Sequence, residues 1–250
     1  MINETFAYGK SFLHRLDPRG KVIAALVFCS VIAITDRTIP LLVGLGYAFI
    51  LVLLARLSWQ ALLKRLLIFN IFIVFVWILV LTSPGETLYV IGPITISRTG
   101  VKIASSITLK ANVIFLITVA LITTIPMVSL GHALRQIGLP AKFIHLFTFT
   151  YRYMHVLEKE FDNLLRAALI RGFRPRTTMH TYRTFAYIIG MLLLRSINRA
   201  ERIHEAMLCR GFCGKFYSLT HFVLSPYDFV FISVSGAFIS TVWWTGWMLI

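Results

Sequence analysis

Apolar positions in this chain come in long blocks. Val22 to Thr35 is apolar, and after Asp36 and Arg37 a second block runs from Ile39 to Ala55. Both are short against the about 20 residues that a helix needs to cross a bilayer. Their brief connection predicts an antiparallel hairpin whose helices borrow flanking residues. A third block, Leu66 to Leu81, stops at Ser83-Pro84-Gly85, a strong turn signal. The stretch to Thr99, with Gly92-Pro93, reads as irregular. A fourth block extends from Val101 to Met127 and carries Lys102, Lys110 and Asn112, the most apolar portion following Asn112. The last runs from Tyr227 to Ile250, with Trp243, Trp244 and Trp247 near its end as an interfacial aromatic belt. Five transmembrane helices are predicted.

Between positions 129 and 217 the blocks give way to helical periodicity. A short helix, Ser129 to Ile137, ends at Gly138-Leu139-Pro140. From Ala141 to Arg171, apolar residues such as Phe143, Leu146, Phe147, Tyr153, Met154, Leu157, Phe161 and Leu164 keep to one helical face. From Arg183 to Arg210, Phe185, Ile188, Ile189, Leu192, Ile197, Ile203 and Met207 do the same. Arg174-Pro175-Arg176-Thr177-Thr178 breaks the helix between them and offers threonine caps for the second. The predicted fold is an all-α integral membrane protein with about five transmembrane helices and long amphipathic helices outside the bilayer. Its parts are 1–20 as an N-terminal segment, 21–127 as four membrane helices, 128–217 as the amphipathic region and 218–250 as the final span.

Each long amphipathic helix ends in the same string, Ala-x-x-x-Arg-Gly-Phe, as Ala167 to Phe173 and Ala206 to Phe212. Glycine past a helix end takes the left-handed conformation without a Cβ penalty, and the next residue packs back on the last turn. Phe173 is expected to cover Ala168, and Phe212 to cover Met207. A helix stop accounts for either copy alone, with the arginine favourable beside the negative end of its own helix dipole. The twin occurrence points to recognition: an alanine one turn back permits close approach, and a guanidinium supplies directional donors for carboxylates or carbonyls.

Composition agrees with a membrane setting. Hydrophobic residues make up 58% of the 250 and charged residues 14%, and mean hydropathy is +0.79. The net charge of +15 would suggest nucleic acid in a soluble protein, but the basic residues crowd beside apolar spans, where anionic lipid and orientation explain them. With the N-terminus in the cytoplasm, 21 of the 25 Lys and Arg fall inside, which places the C-terminus outside. No removable signal is expected at the N-terminus, and no disulfide among Cys29, Cys209 and Cys213.

Chemistry of its own is sparse. Gly214-Lys215 is followed by Phe216, so there is no P-loop, and His204-Glu205 lacks the second histidine of a zincin. The scattered histidines make no metal site, and no cofactor is expected. Glu158, Glu160 and Asp162 read as a solvated helix face, and Asp228 as interfacial. Lys110 is the one candidate for a buried membrane charge, its ordinary explanation being a snorkelling position at the interface.

Three passages carry a family resemblance: Leu16-Asp17-Pro18-Arg19, Thr150-Tyr151-Arg152-Tyr153-Met154-His155-Val156-Leu157, and Leu194 to Arg202 leading into Ala206 to Phe212. Over residues 10–217 the chain resembles the transmembrane T component of energy-coupling factor (ECF) ABC transporters, the EcfT/CbiQ family, and within it the cobalt-type CbiQ. The resemblance implies a non-enzymatic subunit in the plasma membrane of a prokaryote. It would join two ABC-type ATPases to a membrane-embedded substrate-binding S component, here CbiM-like, with a CbiN-like small subunit as a further candidate, for cobalt or nickel uptake. It also implies that Ile170-Arg171-Gly172 and Cys209-Arg210-Gly211, each with its preceding Ala167 or Ala206, dock the ATPases. The family more often has alanine before the arginine. Asp17, Pro18 and Arg19 would form the family's N-terminal motif, with Asp17 and Arg19 fixing the start of the first helix. The rival readings are a lipid-modifying membrane enzyme and a membrane scaffold for another cytoplasmic partner.

Overall fold

A computed structural model describes residue 9 and residues 11–81, 87–91, 94–214 and 225–247. The elements are α1 (Phe12–Arg15), α2 (Pro18–Ile34), α3 (Thr38–Ala55), α4 (Trp59–Leu81), β1 (Thr87–Ile91), β2 (Ile94–Ser97), α5 (Arg98–Leu121), α6 (Met127–Ile137), α7 (Ala141–Ile170), α8 (Met179–Cys209) and α9 (Pro226–Trp247). The chain divides into two compact units, one of residues 4–133 and 222–250, the other comprising residues 1–3 and 134–221.

The first unit is a helical membrane bundle centred on α3. Leu41, Tyr47, Ala48, Leu51 and Val52 of α3 are buried against Phe28 and Ile32 of α2, Val113 and Ile117 of α5, and Phe231 and Val242 of α9. Gly44 makes that packing close: a Cβ there would lie 2.8 Å from the Cδ1 atom of fully buried Ile32. Small residues at such crossings let membrane helices approach, since lipid supplies no hydrophobic drive between them. The outer face of α4, with Leu67, Ile71, Phe72 and Phe75, is left exposed, as suits lipid contact.

Among the described residues, four helices are long and apolar enough to cross a membrane: Thr38–Ala55, Trp59–Ile78, Thr99–Leu121 and Pro226–Trp244. The sequence pattern predicts a fifth over Val22 to Thr35. That segment is α2, whose 17 residues reach about 25 Å against a hydrocarbon core of about 30 Å. The irregular stretch before Thr99 contains an antiparallel hairpin pairing Tyr89 with Ile96, Val90 with Thr95 and Ile91 with Ile94. Its β-branched and aromatic residues suit a pleated surface. Both Ser83-Pro84-Gly85 and Gly92-Pro93 lie outside the described residues, as do residues 248–250.

Polar groups tie the spans together. Tyr47 is stacked between Phe28 and Phe238, and its hydroxyl lies 2.8 Å from Ser235 Oγ. Asn70 Nδ2 donates to Asn112 Oδ1 at 3.1 Å, and Trp77 Nε1 to Thr108 Oγ1 at 2.7 Å, both joining α4 to α5. Lys110 has partners within the protein. Its Nζ donates to Ala33 O at 3.0 Å and to Asp36 Oδ1 at 2.6 Å, capping the C-terminal carbonyls of α2 with a cation. The hydrogen bond from Lys110, then its charge, holds the exposed Asp36 carboxyl below the usual carboxylate range.

The second unit is a pair of long helices, α7 and α8, running antiparallel. Their start and stop points follow the sequence, except that α8 begins at Met179, four residues before Arg183. Thr178 stands at its N-cap, its carbonyl accepting from Thr181 N and Tyr182 N while its side chain makes no capping bond to the helix N–H groups. Thr181 Oγ1 instead accepts from Arg176 N at 3.1 Å, bracing the turn. Glu160 departs from the solvated-face expectation by pairing with Arg195 across the two helices.

Candidate functional site

The two Arg-Gly-Phe strings close their helices in the same way. Arg171 and Arg210 are the last near-helical residues, with φ of −76° and −89°, and Gly172 and Gly211 turn left-handed at φ +87° and +76°. Gly172 N donates to Leu169 O and Phe173 N to Ala168 O, at 3.0 and 3.1 Å. Gly211 N donates to Leu208 O and Phe212 N to Met207 O, at 2.9 and 3.0 Å. Each is a Schellman stop, which satisfies helix carbonyls that would otherwise lack a partner.

The side chains around the stops are what a surface for a partner needs. Ala167, Ile170, Arg171 and Gly172 at one end, and Ala206, Cys209, Arg210 and Gly211 at the other, are all exposed. Ile170 is 87% exposed, so a large apolar side chain stands in water beside the first arginine. Neither guanidinium makes a hydrogen bond or ion pair with any described residue.

The two ends differ in support. Phe173 turns back toward Ala168, whose carbonyl accepts from its N–H. It is buried and meets the Phe185 ring edge-on at 5.8 Å, with His180 beyond. Arg171 and Gly172 thus share a cavity of about 560 Å³ with His180 and Thr184 at the start of α8. Arg210 ends α8 at its other terminus. A helix of 31 residues is about 46 Å long, so the structure sets the two arginines at opposite ends of a long strut.

The N-terminal motif is built in the membrane unit. Pro18 occupies the first helical position of α2, where its missing N–H costs nothing. Asp17 Oδ1 accepts from Arg19 N at 2.9 Å as the N-cap, and Arg19 Nε stands 3.9 Å from the same oxygen.

Residues 9–222 match the family model CbiQ, described as a cobalt transport protein. The chain belongs to the CbiQ family. It is 29% identical over 218 residues to the energy-coupling factor transporter transmembrane protein EcfT of Brevibacillus brevis, covering 82% of each chain. To the EcfT protein of Heliobacterium modesticaldum it is 28% identical over 249 residues, covering 93% of this chain and 92% of the relative. To that of Bacillus subtilis it is 28% identical over 227 residues, covering 86% and 85%. The CbiQ match takes in the Leu-Asp-Pro-Arg string and both Arg-Gly-Phe ends, and stops just before α9.

Sequence reasoning missed several polar partners. Asp228, read as interfacial, is buried: its Oδ1 accepts from Asp17 N and its Oδ2 from Ser225 N, each at 2.7 Å. Lys21 is also buried, yet it looked like one more basic flank. Ser-Pro-Tyr-Asp ahead of an apolar run signals a helix start, but its bond to a residue 211 positions earlier has no local signature.

Proposed function

We propose that this chain is the coupling scaffold of an ECF-type importer. It transmits ATP-driven motion of two cytoplasmic ABC-type ATPases to a substrate-binding S component in the membrane. The observation that carries this reading is the pair of matching helix ends, each presenting an exposed arginine that no described residue engages, with an alanine one turn before it and a glycine after it. Two ends suit two ATPases, one arginine seated in a groove of each. Closure of the ATPases on ATP would change the separation of the two seats. Because Arg171 and Arg210 sit at opposite ends of α8, that change becomes a tilt of the α7–α8 pair, which is passed to the membrane helices.

The hydrolytic chemistry belongs to the ATPases on this reading, and substrate selection to the S component. Cobalt, with nickel as its close relative in chemistry, is the substrate we infer, supported by the description of the matching family; a CbiM-like S component, with a CbiN-like small subunit, is the corresponding partner. The plasma membrane of a prokaryote is the setting, with the N-terminus and the α7–α8 unit in the cytoplasm, supported by the distribution of Lys and Arg. The odd topology requires α2 to cross as the fifth span, thinning the bilayer locally or borrowing flanking residues. In cells supplying ATPase and S subunits, Arg171→Ala with Arg210→Ala should abolish cobalt uptake while the subunit still inserts. Uptake by that double variant at the level of the unaltered chain would refute the proposal.

A further inference from the structure

The chain leaves the membrane unit between residues 133 and 134 and returns between 221 and 222. Any movement of the α7–α8 unit reaches the bundle covalently through those two crossings. Within the bundle, the outgoing turn after α5, the returning start of α9 and the start of α2 line one cavity of about 290 Å³. Thr124 and Pro126 come from the first, Ser225 and Asp228 from the second, Asp17 and Lys21 from the third.

The charges there are buried and linked. Asp17 is 6% exposed, Asp228 3% and Lys21 1%. Asp228 joins the start of α9 to the start of α2 by accepting from Asp17 N, and accepts from Ser225 N within its own segment. Asp17 uses Oδ1 on Arg19 N, while its buried Oδ2 has no hydrogen-bond partner among the described residues. Lys21 lies within electrostatic reach of Asp228 and of Asp17. Arg19, partly exposed, is the other cation beside Asp17. Two buried carboxylates held in series by backbone N–H groups need compensating charge, because a buried ion without a counter-charge has lost its hydration with nothing in return. Removing Lys21 leaves a net negative charge in the cluster, and isosteric Asp17→Asn would cancel it while keeping the oxygen that accepts from Arg19 N.

We propose that Asp17, Lys21 and Asp228 form a buried charge cluster that ties the start of α9, where the chain re-enters the bundle, to the start of the first membrane helix beside the outgoing turn after α5, making the three positioning residues for energy transmission. Movement arriving through α6 and through the start of α9 is then delivered to α2 and α9 together. This rests on the coupling function proposed above.

The test uses the full transporter in vesicles, reading ATPase co-purification, ATP hydrolysis and cobalt uptake together. Lys21→Met should retain the ATPases but lower uptake per ATP hydrolysed by about tenfold, and adding Asp17→Asn should restore it to within about threefold, since buried charges that share one cavity couple through their fields. Unchanged uptake per ATP in Lys21→Met, or a double variant no better than the single, would overturn the role of the cluster. If Lys21→Met does not insert, recovery of insertion and uptake in the double variant is expected, and failure to recover counts against that role. Failure of the unaltered chain to retain ATPases would instead overturn the coupling function itself.

Discussion

Arg171 and Arg210 were legible as a pair because the seven-residue string repeats, and their helix-end geometry follows from the glycine after each. The partners of buried polar side chains were less so, since bonds between helices distant in sequence leave no periodicity to read. Asn112 stood out as a polar residue in an apolar run, but nothing local named Asn70 as its partner. Lys110 likewise stood out, and the structure gives its ammonium partners at the end of α2, Ala33 O and the exposed Asp36. In lipid, an amide that loses its partner finds no water to replace it. Asn70→Leu should therefore lower the stability of the detergent-solubilised subunit by about 1 kcal/mol, measured as a fall in thermal midpoint. Asn70→Leu with Asn112→Leu should cost less than the sum of the two single changes.

The elements themselves were largely readable, since blocks and helical periods sufficed to find α3, α4, α5, α7, α8 and α9. The pairing of β1 with β2 was lost because strands of five and four residues among turn signals carry little pattern. For α7 and α8, the left-handed glycines decide where each helix ends. A Cβ at Gly172 or Gly211 would meet nothing within 4 Å, so alanine there reports backbone conformation alone. Gly172→Ala or Gly211→Ala should each destabilise by about 1 to 2 kcal/mol, read by thermal unfolding followed by circular dichroism. The sequence and the structure differ most over α2, five apolar blocks against four helices that, among the described residues, are long and apolar enough to cross. If α2 spans, a cysteine placed at Arg37 will react with an impermeant maleimide only from outside the cell, and one placed at Arg15 only from inside. Labelling of both from the same side would remove the fifth span and the topology built on it.

For the molecule as a whole, hydropathy and charge distribution gave the membrane class and a basic amphipathic insertion, and the structure resolves these into two compact units. The sequence could not show that the two arginines stand at opposite ends of one 31-residue helix, because that depends on α7 folding back along α8. Such a strut is suited to sensing the distance between two partners, whereas adjacent arginines would suit one. The central claim is that each arginine holds one ATPase. Truncating a paired charge in an interface commonly costs about 2 to 5 kcal/mol, enough to release a subunit during purification. The most direct measurement is therefore the stoichiometry of ATPase subunits retained by the affinity-tagged membrane subunit in native mass spectrometry. Two are expected on the unaltered chain, weakened retention in Arg171→Ala and in Arg210→Ala alone, and none in the double variant. Full retention of both ATPases by the double variant would contradict the account.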